Sequence, residues 1–171
     1  FARSIIHNSV VAQLVFTGEN LIVKTSNQQM LEILGRDKTI IGKPFLEAVP
    51  ELRDTPLLEK VLNVLKTGET YFDEEAKFEI VRDGKIHIGY YNYTYQAIRD
   101  RDGEIYGVLT SATEVTSQVT ARKKIEDSEQ RFRSLIEAAP IAIGVFIGRD
   151  LIIETHNQTF LDIVGKGNDI T

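Results

Sequence analysis

The sequence predicts an α+β protein: a five-stranded antiparallel sheet with short helices on one face, then a long connecting helix and a partial second copy of the same unit. Three observations predict this. β-rich segments come as a pair near the start and as a run of three after a helical stretch, with turn residues between neighbours. Thr116–Ala138 is charged, helical in pattern and free of Gly and Pro. Finally, the chain repeats itself. Ile22–Gly35 reads IVKTSNQQMLEILG and Ile152–Gly165 reads IIETHNQTFLDIVG; an ungapped shift of 130 positions pairs Arg3–Gly35 with Arg133–Gly165, and 15 of those 33 pairs are identical. A period of domain size marks a tandem array rather than a solenoid.

Each element has a local reason. Arg3–Asn8 reads as a helical lead-in. Ala12–Thr17 and Leu21–Thr25 are strands separated by GEN. Asn27 is a strong N-cap for NQQMLEILG, in which Met30, Leu31, Ile33 and Leu34 form an apolar face and Gly35 supplies the stop. Pro44 and Pro50 restrict the next segment to a helical turn or two. Thr55–Lys66 is the clearest helix, with Thr55 as cap, Pro56 at the first position and a stripe of Leu58, Val61, Leu62 and Leu65. Tyr71–Val81, Lys85–Arg99 and Ile105–Glu114 form a meander turned at Asp83-Gly84 and Asp102-Gly103. The expected organisation is one closed domain over 1–115, a helix over 116–138 ended by Pro140, and the first part of a second domain over 139–171.

Composition excludes several functions. The chain has 171 residues, 42% of them hydrophobic and 26% charged, with a net charge of −5 and the two signs interspersed. Without a basic stripe to neutralise phosphates, a nucleic-acid partner is not expected. No run of 18 apolar residues is present, so no direct membrane contact is expected. Cysteine is absent, which removes disulfides, thiolate metal sites and cysteine nucleophiles and fits a reducing, cytoplasmic setting.

Four stretches carry a resemblance. NQQMLEILGRDKTIIGKPFLEAVPEL, with its Asn-opened helix and Gly-Lys-Pro step, TGE before the third strand, YNYTYQAIRDRDGEIYGVLTSATEVT at the end, and SEQRFRSLIEAAPIAIGVF opening the repeat together resemble PAS domains. They look most like the PAS repeats of bacterial two-component sensor histidine kinases. The resemblance implies a sensory, signal-transduction input module that relays ligand or partner state through a helix to an output domain outside this sequence. The other reading, a ligand-free dimerisation and spacer module, stays open. The family's exit is usually Asp, an aliphatic residue and Thr; here Glu114-Val115-Thr116 carries the longer acid. Glu114 and Thr116 are read either as a plain helix cap or as a signalling junction.

The family's cofactor chemistries are testable by residue type. Photoactive flavin members need a cysteine, and none exists. Haem members need a histidine in the helical region, and Gly35–Gly68 has none; His7, His87 and His156 are scattered. Neither haem, nor covalent flavin, nor a metal is expected. In YYNYTYQ, alternation places Tyr91, Tyr93 and Tyr95 on one face. The resemblance makes that face the inner one, with Val108, Thr110 and Ala112 beside it. These residues either line a cavity for a small organic ligand or simply fill the core.

No enzyme is expected. There is no phosphate-cradling glycine loop and no nucleophile beside a base, and the Asp73–Glu75 carboxylates read as solvated. Neither HNSVV nor HNQTF resembles a kinase phosphoacceptor motif. In the connecting helix, heptads place Gln118, Ile125 and Phe132 in one row and Ala121, Ser128 and Leu135 in the other. The expected partner is a second copy of the chain, a homodimer formed through this helix and the partial repeat.

Overall fold

A computed structural model describes residues 11–164. The expected lead-in helix with His7, and the last residues of the repeat, lie outside the described residues. Two compact units divide at Val119/Thr120.

In the first unit β1 (Ala12–Thr17), β2 (Ile22–Ser26), β3 (Tyr71–Arg82), β4 (Lys85–Arg99) and β5 (Ile105–Glu114) form one antiparallel sheet in the order β2-β1-β5-β4-β3. Between β2 and β3 come α1 (Gln28–Leu34), a 3-10 turn at Lys38–Ile40, α2 (Phe45–Ala48), a 3-10 turn at Pro50–Leu52, and α3 (Leu57–Thr67). Their apolar residues Met30, Leu34, Phe45, Val61 and Val64 share one core with Leu14, Phe16 and Val108 of the sheet. Helices and inner sheet face therefore enclose a single buried volume.

The ends of α1 form as expected. Asn27 caps it by accepting from Met30 N at 3.0 Å, and Gly35 closes it at φ 61°. Gly35 is needed twice over: a Cβ there would stand 2.8 Å from Val81 O and 2.9 Å from Arg82 Cα. That close approach fixes α1 against the end of β3.

The start of α3 differs from expectation. Pro56, not Thr55, occupies the N-cap, and the Thr55 hydroxyl donates to Leu52 O at 2.6 Å, closing the preceding turn instead. The helix therefore begins later, and its buried face is Leu57, Val61 and Val64, with Leu58 exposed. Strand β3 carries a bulge where the register slips between Asp73 and Ala76; Glu75 takes φ 52° and its N–H donates to Asn92 Oδ1 at 2.9 Å.

The second unit contains α4 (Thr116–Ala138) from Thr120 onward, then β6 (Gly144–Ile147), β7 (Ile152–His156) and α5 (Gln158–Val164). The repeat extends to individual bonds. Asn27 Oδ1 accepts from Gln13 N and Met30 N while its Nδ2 donates to Val11 O; Asn157 Oδ1 accepts from Ile143 N and Phe160 N while its Nδ2 donates to Ile141 O. Both hairpins slip register at the same place, between Val15 and Phe16 and between Val145 and Phe146. Both use a leucine at positive φ in the turn, Leu21 at 49° and Leu151 at 52°. What differs is cover. Phe16 and Leu21 are each 1% exposed, whereas Phe146 and Leu151 are 47% and 67% exposed.

Candidate functional site

The alternation of β4 places Tyr91, Tyr93 and Tyr95 on the inner face, and all three are buried. Register sets their neighbours: Thr110 of β5 lies opposite Tyr95 and opposite Leu14 of β1, and Ala112 lies opposite Tyr93. The rings of Tyr93 and Tyr95 sit 5.0 Å apart, and Phe78 of β3 lies 5.6 Å from Tyr93. Between this aromatic row and the helices is a cavity of about 60 Å³. Its walls include Met30, Leu34, Phe45, Leu57, Phe78, the three tyrosines, Thr110 and Ala112. Val108 is fully buried on the same face but lies further along β5, opposite Phe16, and is not part of the cavity wall.

The tyrosine hydroxyls have different fates. Tyr93 Oη accepts from Lys60 Nζ at 3.1 Å and donates to Asp73 Oδ2 at 3.2 Å. Asp73 Oδ2 also accepts from Tyr71 Oη at 3.1 Å and pairs with Lys60 Nζ at 3.0 Å, and that ammonium lies 4.6 Å from the Tyr71 ring centre. The Lys60 hydrogen bond holds the Asp73 carboxyl below its usual range. Burial alone would lower Lys60, yet the Tyr71, Tyr93 and Asp73 oxygens outweigh it and raise the ammonium. Burial pushes the Tyr93 phenol up to about 12, against the pull of Lys60. Asp73, expected to be solvated, is thus tied to a cavity residue.

Tyr91 reaches the other way. Gly89 makes this possible, because a Cβ there would run into the Tyr91 ring. The Tyr91 hydroxyl accepts from Arg82 Nη2 at 2.7 Å. The same nitrogen donates to Glu114 Oε2 at 3.2 Å, and Arg82 Nε donates to Ile33 O at 2.7 Å. Glu114 Oε1 in turn accepts from the Thr116 hydroxyl at 3.0 Å, and Thr116 Oγ1 accepts from Tyr90 N at 3.0 Å. Glu114 and Thr116, singled out from the sequence, are therefore brought together with a cavity tyrosine through Arg82. A second arginine braces the helical region: Arg36 Nη2 meets both Glu51 carboxylate oxygens at 2.9 Å, and Glu51 Oε1 accepts from Val81 N at 2.9 Å.

Sequence reasoning missed Arg82, Lys60 and Asp73 as site residues. Arg82 stands next to a turn, and Lys60 lies on the polar side of an amphipathic helix, positions where exposed charges are ordinary.

The PAS domain family model matches residues 4–116, 113 of the 171 residues, and another PAS domain model matches residues 130–171. The chain belongs to the PAS domain family. The structure is similar to the PAS domain of BvgS from Bordetella pertussis, with 18% identity and a TM-score of 0.54, covering 77% of this chain and 96% of that one. It is also similar to a sensory box sensor histidine kinase from Vibrio cholerae, with 22% identity and a TM-score of 0.50 over 67% of this chain and 89% of that one. A third similar structure is the Vibrio cholerae VqmA dimer without its target DNA, at 20% identity and a TM-score of 0.57 over 67% of this chain. The chain spans half of VqmA's length. At these identities the likeness concerns the fold.

The candidate seam of this PAS chain lies on the surface of α4: Ile125, Phe132 and Leu135 are 61%, 59% and 64% exposed. Among the described residues, no helix is long and apolar enough to cross a membrane, and no group of three or more His, Cys, Asp or Glu is placed to hold a metal.

Proposed function

We propose that this PAS chain is a sensory input module, not an enzyme, that converts the state of the aromatic cavity into the packing of α4. The observation that carries this reading is Arg82. One guanidinium nitrogen bonds a cavity phenol and the carboxylate of the residue pair from which α4 departs. A shift of the Tyr91 ring changes a charged hydrogen bond at Glu114, and Glu114 holds the Thr116 hydroxyl. Two arrangements of this bond set would bias two arrangements of the helix.

In this proposal the chain is a cytoplasmic homodimer joined through Ile125, Phe132 and Leu135 and through the partial repeat. Its output domain is a histidine kinase, a reading supported by the likeness to a sensory box sensor histidine kinase. The dimeric state of VqmA supports pairing between PAS chains. A cavity of about 60 Å³ supports a small organic occupant rather than haem or flavin. The small volume also favours the second reading, a ligand-free spacer.

Output of the parent sensor separates the two. Arg82→Gln and Tyr91→Phe are expected to alter its response if the bond set transmits a signal. Wild-type output from both variants would reject the relay and leave the spacer.

A further inference from the structure

One hydroxyl of the cavity lining, that of Thr110, is buried and lacks a hydrogen-bond partner. Tyr91 and Tyr93 spend their hydroxyls on Arg82, Lys60 and Asp73, outside the cavity lining. Thr110 is buried, only 8% exposed; it lines the cavity, and its Oγ1 has no hydrogen-bond partner. A buried hydroxyl without a partner is destabilising, and such groups in native proteins ordinarily meet a ligand or a water. Most of the remaining lining is aliphatic or aromatic carbon, and neither an ammonium, a guanidinium nor a carboxylate belongs to it.

We propose that the cavity takes one small neutral molecule of about three to five heavy atoms, with an apolar body and one oxygen that bonds to Thr110 Oγ1. Short-chain alcohols and ketones have this chemistry. The inference deepens the sensory reading above and rests on it. Size limits the occupant: a cavity of about 150 Å³ accepts benzene, and the space here is about 60 Å³. Charge limits it as well, since an ion would be buried without a counter-ion. Water is the competing occupant; it needs two to four polar partners, and the lining offers it the hydroxyls of Thr110 and Tyr95, the minimum number.

The test uses the full chain with labelled methyl groups, titrated by NMR with 2-propanol and separately with xenon. Saturable shifts at the Thr110 and Leu14 methyls are expected with both probes. Thr110→Val should weaken 2-propanol about tenfold, the order of one hydrogen bond, and leave xenon unaffected, while Thr110→Ser should retain 2-propanol binding. Equal 2-propanol affinity in Thr110→Val would overturn the assignment of the hydroxyl. Shifts that never saturate, or a water held at Thr110 that 2-propanol does not displace, would overturn the ligand class. Saturable binding with no change at the Thr116 amide would keep this inference and reject the relay to α4.

Discussion

Arg82 Nη2 stands 2.7 Å from the Tyr91 hydroxyl, and this bond joins the cavity wall to the exit of the sheet. Arg82 is otherwise held by Ile33 O and by Glu114, so removing the phenol oxygen leaves its position largely supported. Tyr91→Phe should therefore fold and lose about 1.5–3 kcal/mol, the range for a hydrogen bond with one charged partner. Denaturant melts measure that loss. Hydrogen exchange should accelerate at Val115, whose amide donates to Tyr90 O where the sheet gives way to α4, and at Val119, whose amide donates to Val115 O in the first turn of the helix. Exchange indistinguishable from wild type there would mean that the cavity and the helix are not coupled.

Alkaline pH tests the aromatic face. Burial raises the Tyr91 and Tyr95 phenols and takes Tyr93 up to about 12, from an ordinary value of 10.0. Lys60 is raised as well. A group raised in the folded state stays protonated there while the unfolded chain releases its proton. Its stabilising contribution is thus complete below pH 10 and falls as pH climbs toward about 12. Stability in urea should decline steadily above pH 10, and less steeply for Tyr93→Phe. A flat profile from pH 9 to 12 would show that the phenols are solvated.

The paired asparagines offer a test of domain independence. Asn27→Ala removes the bonds to Gln13 N, Met30 N and Val11 O from a fully buried side chain, and should cost the first unit about 3 kcal/mol. Asn157→Ala removes the corresponding bonds to Ile143 N, Phe160 N and Ile141 O, and the bond to Ile136 O. It should loosen β6, β7 and α5 and leave amide protection on β1–β5 as in the wild type. Loss of protection across β4 and β5 in Asn157→Ala would show that the two units fold as one.

These asparagines were legible in the sequence because a cap residue recurs at the same offset as the apolar pattern, and both signals are local. The strands were legible for the same reason: β4 and β5 occupy the expected ranges, since period-two alternation and the Asp-Gly turns fix them without distant contacts. The inner face was legible from alternation plus the resemblance. What stayed hidden depends on partners far apart in the chain. Lys60 and Asp73 are 13 residues apart, and Arg82 and Glu114 are 32 apart. Nothing in a single charged residue states which distant charge it meets. The start of α3 was misplaced by another competition, in which Thr55 bonds backward to Leu52 rather than forward into the helix.

The helix α4 carries the last prediction. Ile125, Phe132 and Leu135 are large, apolar and exposed on a helix whose other residues are mostly charged or polar, at spacings of seven and three. That spacing is the one the proposed seam with a second copy requires. The chain has no cysteine, so Phe132→Cys introduces a single thiol whose oxidation reports whether two copies of α4 lie in register. Dimeric α4 should give rapid interchain disulfide at position 132. One residue inserted after Lys124 rotates the remainder of the helix by about 100°, which carries Phe132 off the seam defined by Gln118 and Ala121, and cross-linking should fall sharply. Seven inserted residues return it to within about 20°, and cross-linking should recover. Equal cross-linking in all three chains would mean that the copies meet without helix register, and α4 would then be a tether.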